Sequence, residues 1–286
     1  MKQELLILPF DHRSSFLRDI LCLSAKPDKK QVEEVKELKR MIFEGFLLAA
    51  NKEKSFGILV DEEYGENILK EAKEKKIITC LPVEKSGEKI LKLNYPKSFE
   101  EHIDKFNPDF VKILIRYNPL NKKDNQKQLK VLSQINDFCQ KRKYKVILEL
   151  LVPPAKEDLK IKNYEKEIRA ERTVGAINEI KEKIKVDIWK LEGFEKNQWK
   201  EVIKATNKGS QIIFLGRGED KKKVIKWMKA ATINKEIIGF AIGRTIFLET
   251  LKKYYSKKIS KEKAIKTIAS NFSSFVKLWR KEKSLS

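Results

Sequence analysis

The sequence predicts an α/β fold: a (β/α)8 barrel of the TIM type, a single domain over residues 1–286, with an additional C-terminal helix. Three observations predict it. Eight short apolar runs recur along the chain, the stretches between them carry helical periodicity, and 286 residues without a long Gly/Pro/Ser linker suit one large barrel. The runs are Leu5–Phe10, Gly57–Val60, Ile77–Leu81, Phe110–Ile115, Val146–Leu151, Ile188–Leu191, Gln211–Leu215 and Ile237–Ile242. Each is short, continuous and often β-branched, the pattern of a strand buried on both faces.

Helices fill the gaps. Val35, Leu38, Ile42 and Phe46 recur at spacings of three, four and four, and Leu129, Leu132, Ile135 and Phe138 at spacings of three, so each set makes one apolar stripe. After the eighth run, Ile265, Ile268, Phe272, Phe275 and Trp279 mark a last helix over Ala264–Arg280, behind the capping residue type Ser260. It is expected over the outside or the bottom of the barrel. Strand alternating with helix implies a parallel sheet, and eight such units favour closure over an open doubly wound sheet, which stands as the structural alternative. No GxGxxG follows the first run and no GxxxxGK[ST] occurs, so the open-sheet nucleotide folds lose their usual support. The longest irregular pieces, Leu81–Ser98 and Val152–Lys162, follow strands and are therefore expected on the catalytic face.

Composition narrows the class. Hydrophobic residues make up 41%, enough for a core despite 36% charged residues. No apolar run approaches the roughly 20 residues that span a bilayer, and Leu5–Phe10 is too short for a signal-peptide core, so a soluble cytoplasmic protein with no membrane partner is expected. Cys22, Cys80 and Cys139 form no CxxC pair, and His12 and His102 are isolated. No cofactor and no zinc-type metal site are expected, with a carboxylate-bound Mg²⁺ the one metal left open. The net charge of +22 raises the idea of a polyanion partner. Its excess is mostly Lys interleaved with Glu, as in Val32–Lys39 and Glu66–Lys76, with no aromatic RNA-binding signature. The reading preferred here is a lysine-rich surface, no specific nucleic acid, and weak steering of anionic substrates. Self-association into a homo-oligomer stays open.

In a barrel the carboxyl ends of the strands form the active site. These ends are polar: Asp11-His12-Arg13 after the first, Asp61-Glu62-Glu63 after the second, Lys112 within the fourth and Arg116-Tyr117-Asn118 at its end, Glu149 in the fifth, Lys190 and Glu192 in the sixth, Gly216-Arg217-Gly218 after the seventh and Gly243-Arg244 after the eighth. Each has a bland reading. Asp61 taken singly is a helix cap, a strand lysine can snorkel to the rim, and Arg217 can be a surface loop residue. The joint pattern says more. Lys112, Glu149 and Lys190 lie on successive strands among apolar residues, where an ionised group is costly unless paired. A buried lysine amine beside a second cation is a candidate nucleophile, and a carboxylate between them can move protons during imine chemistry. Glycine-flanked Arg217 and Arg244, with Gly216 and Gly243, occupy the usual barrel position for a phosphate, and Gly243-Arg244 is the stronger of the two.

DHRSSF (Asp11–Phe16), DFVKILIRYNP (Asp109–Pro119), VILELLVPP (Val146–Pro154), DIWKLEG (Asp187–Gly193) and GFAIGRTIF (Gly239–Phe247) together resemble the aldolase-like domain of unknown function (DUF2090 type) that is found fused to sugar kinases of inositol catabolism. That domain is similar to the class I tagatose-1,6-bisphosphate aldolases. The resemblance implies a metal-free Schiff-base aldolase with Lys190 as the Schiff-base lysine, Glu149 as the proton-transfer carboxylate and Lys112 as the assisting lysine. It implies Asp11 and Asp61 near the sugar hydroxyls and Arg244 on a phosphate; by their places at the strand ends, Arg13, Gly216, Arg217 and Gly243 are expected to complete the substrate-binding set. The chain departs from the pattern at Asn118 and Arg217. The expected reaction is cleavage of a phosphorylated ketose or keto-sugar acid, of the tagatose- or fructose-bisphosphate or 6-phospho-5-dehydro-2-deoxygluconate type, to dihydroxyacetone phosphate and an aldehyde. A phosphosugar isomerase or epimerase with Glu149 or Asp61 as base is the first alternative, and a non-catalytic basic binding protein the second.

Overall fold

The computed structural model describes residues 4–23, 26–50, 53–206 and 208–285. Eight parallel strands close into a barrel in sequence order: β1 (Leu5–Pro9), β2 (Phe56–Leu59), β3 (Ile78–Pro82), β4 (Phe110–Arg116), β5 (Lys145–Leu151), β6 (Ile188–Glu192), β7 (Gln211–Leu215) and β8 (Ile237–Ala241). The open-sheet alternative is thereby removed, because β1 pairs with β8 as well as with β2. Closure depends on Gly239, which stands opposite Leu5; a Cβ there would lie 1.7 Å from the Leu5 carbonyl oxygen.

The strands alternate as a barrel requires. Leu5, Ile7, Leu59, Ile147, Ile188 and Ile213 turn inward into a small cluster, while Leu6, Leu8, Ile58, Val111, Leu148 and Trp189 turn outward beneath the helices. The same alternation sends Lys112, Glu149 and Lys190 inward, toward the carboxyl end of the barrel.

The β1–β2 connection holds two helices, α1 (Ser14–Leu21) and α2 (Lys29–Ala50). The others are α3 (Glu62–Glu74), α4 (Phe99–Phe106), α5 (Lys122–Arg142), the one-turn α6 (Tyr164–Glu167), α7 (Arg169–Lys181), α8 (Lys196–Ala205), α9 (Lys221–Thr232), α10 (Arg244–Tyr255) and α11 (Lys261–Ser284). The Ser260 hydroxyl caps α11 by accepting the Lys263 N–H at 3.2 Å. This last helix packs on the outside of the barrel, where Phe272 and Trp279 both meet the Phe240 ring of β8. Its far end is tied to the amino-terminal face by Arg280, which pairs with Glu4 and Glu53. Among the described residues no helix is long and apolar enough to cross a membrane.

Candidate active site

Neighbouring strands bring the buried ions together. In the β5–β6 register Glu149 stands opposite Lys190, and their side chains meet: Lys190 Nζ donates to Glu149 Oε2 at 2.8 Å. Lys112 Nζ, from β4, lies 3.0 Å from the same oxygen. It also donates to Asp11 Oδ2 at 2.8 Å and to Glu84 Oε1 at 2.6 Å. Lys112, Lys190 and Glu149 are only 1%, 4% and 8% exposed, so water cannot screen these charges well.

The electrostatics follow from that packing. Burial alone would depress the Lys112 ammonium, but Asp11, Glu149 and Glu84 outweigh it and hold it well above its usual range. Burial would raise the Glu149 carboxyl, yet Lys112 and Lys190 pull it down to about 2. Asp11 is lowered further, against its own burial, by Lys112, His12 and Lys190. All three groups are therefore charged at neutral pH. His12 is the opposite case: burial, with Arg244 and Lys190 nearby, outweighs Asp11 and lowers it to about 4.

Glu84 is the residue that sequence reasoning missed. It sits two residues beyond β3, in an irregular segment held by an antiparallel bridge between Glu84 and Leu93. Its second oxygen accepts the Leu114 N–H at 3.2 Å, which aims the carboxylate at Lys112. The available signal was an acid just past a strand end in the longest irregular stretch.

The expected residues fall into three groups. Asp11, Arg13, Lys112, Glu149, Lys190, Gly216, Arg217, Gly243 and Arg244 all line one cavity of about 400 Å³. Asp61 does not: it caps α3 by accepting the Tyr64 N–H at 3.0 Å, and its other oxygen is taken by the fully buried Lys39 of α2. The placement near sugar hydroxyls is thus corrected, because a buried ammonium inserted from α2 holds the carboxylate away from the mouth. Arg217 lines the cavity but is neutralised by Glu165 at 2.7 Å and Glu192 at 3.1 Å. Asn118, one of the two departures, lies outside the cavity and donates to Asp158 at 2.7 Å.

Arg244 differs from Arg217. Among the described residues its side chain makes one hydrogen bond, from Nη2 to the Arg217 carbonyl at 2.8 Å, and no carboxylate pairs with it. Gly218, at φ 78°, makes room for this guanidinium: a Cβ would stand 2.5 Å from its central carbon. Gly243 precedes α10 without a side-chain cap, and a Cβ there would meet the Pro9 carbonyl oxygen at 2.2 Å. The result is an unpaired guanidinium beside an uncapped helix N-terminus, a combination suited to an oxyanion.

Comparison with known proteins bears on this geometry. Residues 1–283 match the family described as uncharacterized protein conserved in bacteria (DUF2090). The chain belongs to the DUF2090 family. No curated protein sequence matches this DUF2090 member. Solved structures do resemble it in fold. Cgl0159 from Corynebacterium glutamicum is 14% identical with a TM-score of 0.58, over 96% of this chain and 87% of that one. A Schiff-base-forming fructose-1,6-bisphosphate aldolase is 14% identical with a TM-score of 0.59, over 94% and 93%. An archaeal fructose-1,6-bisphosphate aldolase, whose catalytic Lys is covalently bound to the carbinolamine intermediate of its substrate, is 13% identical with a TM-score of 0.58, over 95% and 94%. The DUF2090 chain thus shares the fold of class I aldolases. Among the described residues, no group of three or more His, Cys, Asp or Glu side chains is arranged to hold a metal ion. The ammonium of Lys112 occupies the space between Asp11, Glu84 and Glu149.

Proposed function

We propose that this protein is a class I aldolase that forms a Schiff base through Lys190 and reversibly cleaves a phosphorylated ketose to dihydroxyacetone phosphate and an aldehyde. The observation that carries the reading is the buried contact of Lys190 Nζ, on β6, with Glu149 Oε2 at 2.8 Å, in a cavity that Arg244 also lines without a carboxylate partner among the described residues. The likeness in fold to Schiff-base aldolases supports it.

The chemistry balances on these groups. Lys190 passes a proton to Glu149 and its lone pair attacks the ketone carbon; the carbonyl electron pair moves to oxygen, which takes the surplus proton of the newly bonded nitrogen to give the neutral carbinolamine. Protonated Glu149 returns a proton to the departing hydroxyl, water leaves, and the iminium forms. Asp11, ionised on the cavity wall, accepts the proton of the substrate hydroxyl on the carbon beyond the breaking bond. The electron pair of the carbon–carbon bond then moves to the iminium nitrogen, giving an enamine and the free aldehyde. Asp11 returns that proton to the enamine carbon, and water then hydrolyses the resulting iminium, releasing dihydroxyacetone phosphate and restoring Lys190 and the Asp11 carboxylate. Lys112 stays protonated throughout and fixes Asp11, Glu84 and Glu149 around the reacting carbon. Arg244 and the first N–H groups of α10 hold the phosphate.

Borohydride reduction in the presence of dihydroxyacetone phosphate tests this. A reduced adduct on Lys190, absent in Lys190→Met, is expected by peptide mass spectrometry. A folded sample with no adduct overturns the mechanism, and phosphosugar isomerisation surviving the same treatment would favour Glu149 acting as a simple base.

A further inference from the structure

We propose that the amino-terminal face of the barrel, opposite the catalytic mouth, carries a groove that binds single-stranded nucleic acid without regard to sequence. The inference is independent of the aldolase reading. Two clefts of about 780 and 450 Å³ adjoin on this face and share Phe110 and Lys145. Their floor includes the first residues of five neighbouring strands: Ile78 of β3, Phe110 of β4, Lys145 of β5, Ile188 of β6 and Gln211 of β7. The groove therefore follows an arc around the end of the barrel.

Its walls are basic. Lys54, Lys73, Lys141, Arg142, Lys143 and Lys145 line the first cleft, and Lys185 and Lys208 the second. The carboxylates among the lining residues are Asp109 and Asp187. Asp109 lies 3.8 Å from Lys73, Asp187 accepts the Val146 N–H at 2.8 Å, and Arg142 is held by Asp104 at 2.5 Å. Among the described residues no carboxylate pairs with Lys54, Lys141, Lys143, Lys145, Lys185 or Lys208, and all six are exposed. Exposed lysines elsewhere pair locally, as Lys70 does with Glu66 and Lys266 with Glu262. Uncompensated cations on one face repel one another, and the amino-terminal face of a barrel carries no chemistry that would use them. A bound polyanion offsets that repulsion.

Shape and aromatic content select the polyanion. Cations spread along an arc match a chain of phosphates, whereas one compact ion needs donors that converge. The floor is recessed, with the Phe110 ring half-buried and the Lys145 ammonium 5.9 Å from its centre, so a flat bilayer does not reach it. Tyr144 adds a second half-buried ring in the first cleft. Rings set among unpaired lysines offer faces to unstacked bases, which a single strand presents and a duplex does not. Stacking and phosphate contacts both tolerate any sequence. The grouping was hidden in the sequence because these cations come from five separate segments.

Fluorescence anisotropy with a labelled oligo(dT) of about 12 nucleotides tests the groove. The expected Kd is roughly 1–100 μM at about 50 mM salt, weakening about fiftyfold by about 200 mM as counterions of about four phosphates are released. Lys141→Gln/Lys145→Gln/Lys185→Gln is expected to weaken binding about tenfold or more and to flatten the salt slope by about 2. Lys70→Gln/Lys252→Gln/Lys266→Gln removes the same charge from exposed positions outside the groove and is expected to bind like the wild type. Phe110→Leu is expected to weaken oligo(dT) severalfold, and a duplex of the same length or inorganic polyphosphate to bind severalfold more weakly than the single strand. No binding at low salt, or equal losses in the two triple variants, overturns the proposal. Duplex or polyphosphate bound as tightly as the single strand, or an oligo(dT) affinity untouched by Phe110→Leu, overturns the assignment to single strands.

Discussion

Lys112 holds more of the site together than Lys190 does. Three carboxylates converge on its ammonium, whereas among the described residues Lys190 pairs with Glu149 alone. Removing it leaves three buried anions facing one another, and breaking a buried pair in this way typically costs about 3–5 kcal/mol. Lys112→Met is accordingly expected to lower stability by that order in urea unfolding at pH 7, with a smaller deficit near pH 4, where the orphaned carboxylates can protonate. A deficit that does not change with pH would show that the loss is one of packing. His12 sets a different pH dependence. Its folded value of about 4 lies below the ordinary 6.5, because burial disfavours the imidazolium. Between those two values the unfolded chain binds a proton that the folded chain refuses, so stability falls as pH falls through this window, by roughly 3 kcal/mol in all. Glu192 works in the opposite sense, since burial raises it and the folded state then binds the extra proton. The difference between wild type and His12→Gln isolates the histidine: the variant is expected to lose less stability between pH 6.5 and 4.5 in the unfolding midpoint, and parallel curves would contradict the assignment.

At the level of elements, the strands were legible because each is an apolar run with one buried destination. Their ends were less so: β4 runs on through Arg116 and β6 through Glu192, because ladder hydrogen bonds extend pairing into polar residues that hydrophobicity alone would exclude. The ionic core was legible for the same reason as the strands, since Lys112, Glu149 and Lys190 are anomalies within apolar runs. Glu84 and Lys39 were not. Glu84 is one acid among many in a loop, and only the bridge to Leu93 aims it; Lys39 looks like any helix lysine until α2 docks its face against Asp61, with the ammonium over the Phe16 and Tyr64 rings at 5.6 and 5.3 Å. Closure itself was legible in the eight units, but the role of Gly239 at the seam was hidden, because it depends on an absence of atoms. Gly239→Ala would drive a methyl into the Leu5 backbone at 1.7 Å, and no rotamer relieves a clash between backbone and Cβ. The β1–β8 seam must then open. The expected result is a loss on the order of 4 kcal/mol or failure to accumulate as folded protein, read by circular dichroism and thermal unfolding. An alanine variant with wild-type stability would mean that the seam is built differently.

Over the whole molecule the dominant quantity is the net charge of +22. A charge of that size does not dictate the fold, but it shapes approach to the site. The centre of the cavity is not positive in itself: Asp11, Glu84 and Glu149 outnumber Lys112 and Lys190 there. Its rim is different, with Arg18, Lys85, Arg116, Arg217 and Arg244 around the opening. On the proposed function, the rim and the surrounding field would draw an anionic substrate to the mouth, while the carboxylates at the centre would disfavour its charged group over Lys190. Because the steering charges are exposed, salt screens them over about 10 Å at 0.1 M, whereas the buried Lys112 cluster is shielded from it. Raising ionic strength from about 20 mM to about 200 mM is thus expected to lower kcat/KM severalfold for a doubly anionic ketose while leaving kcat nearly unchanged. The same change should leave the addition of neutral glyceraldehyde to an enzyme already carrying the bound ketone almost untouched, since that partner has no charge to steer. A fall in kcat that matches the fall in kcat/KM would place the salt effect inside the ionic cluster and not at its rim.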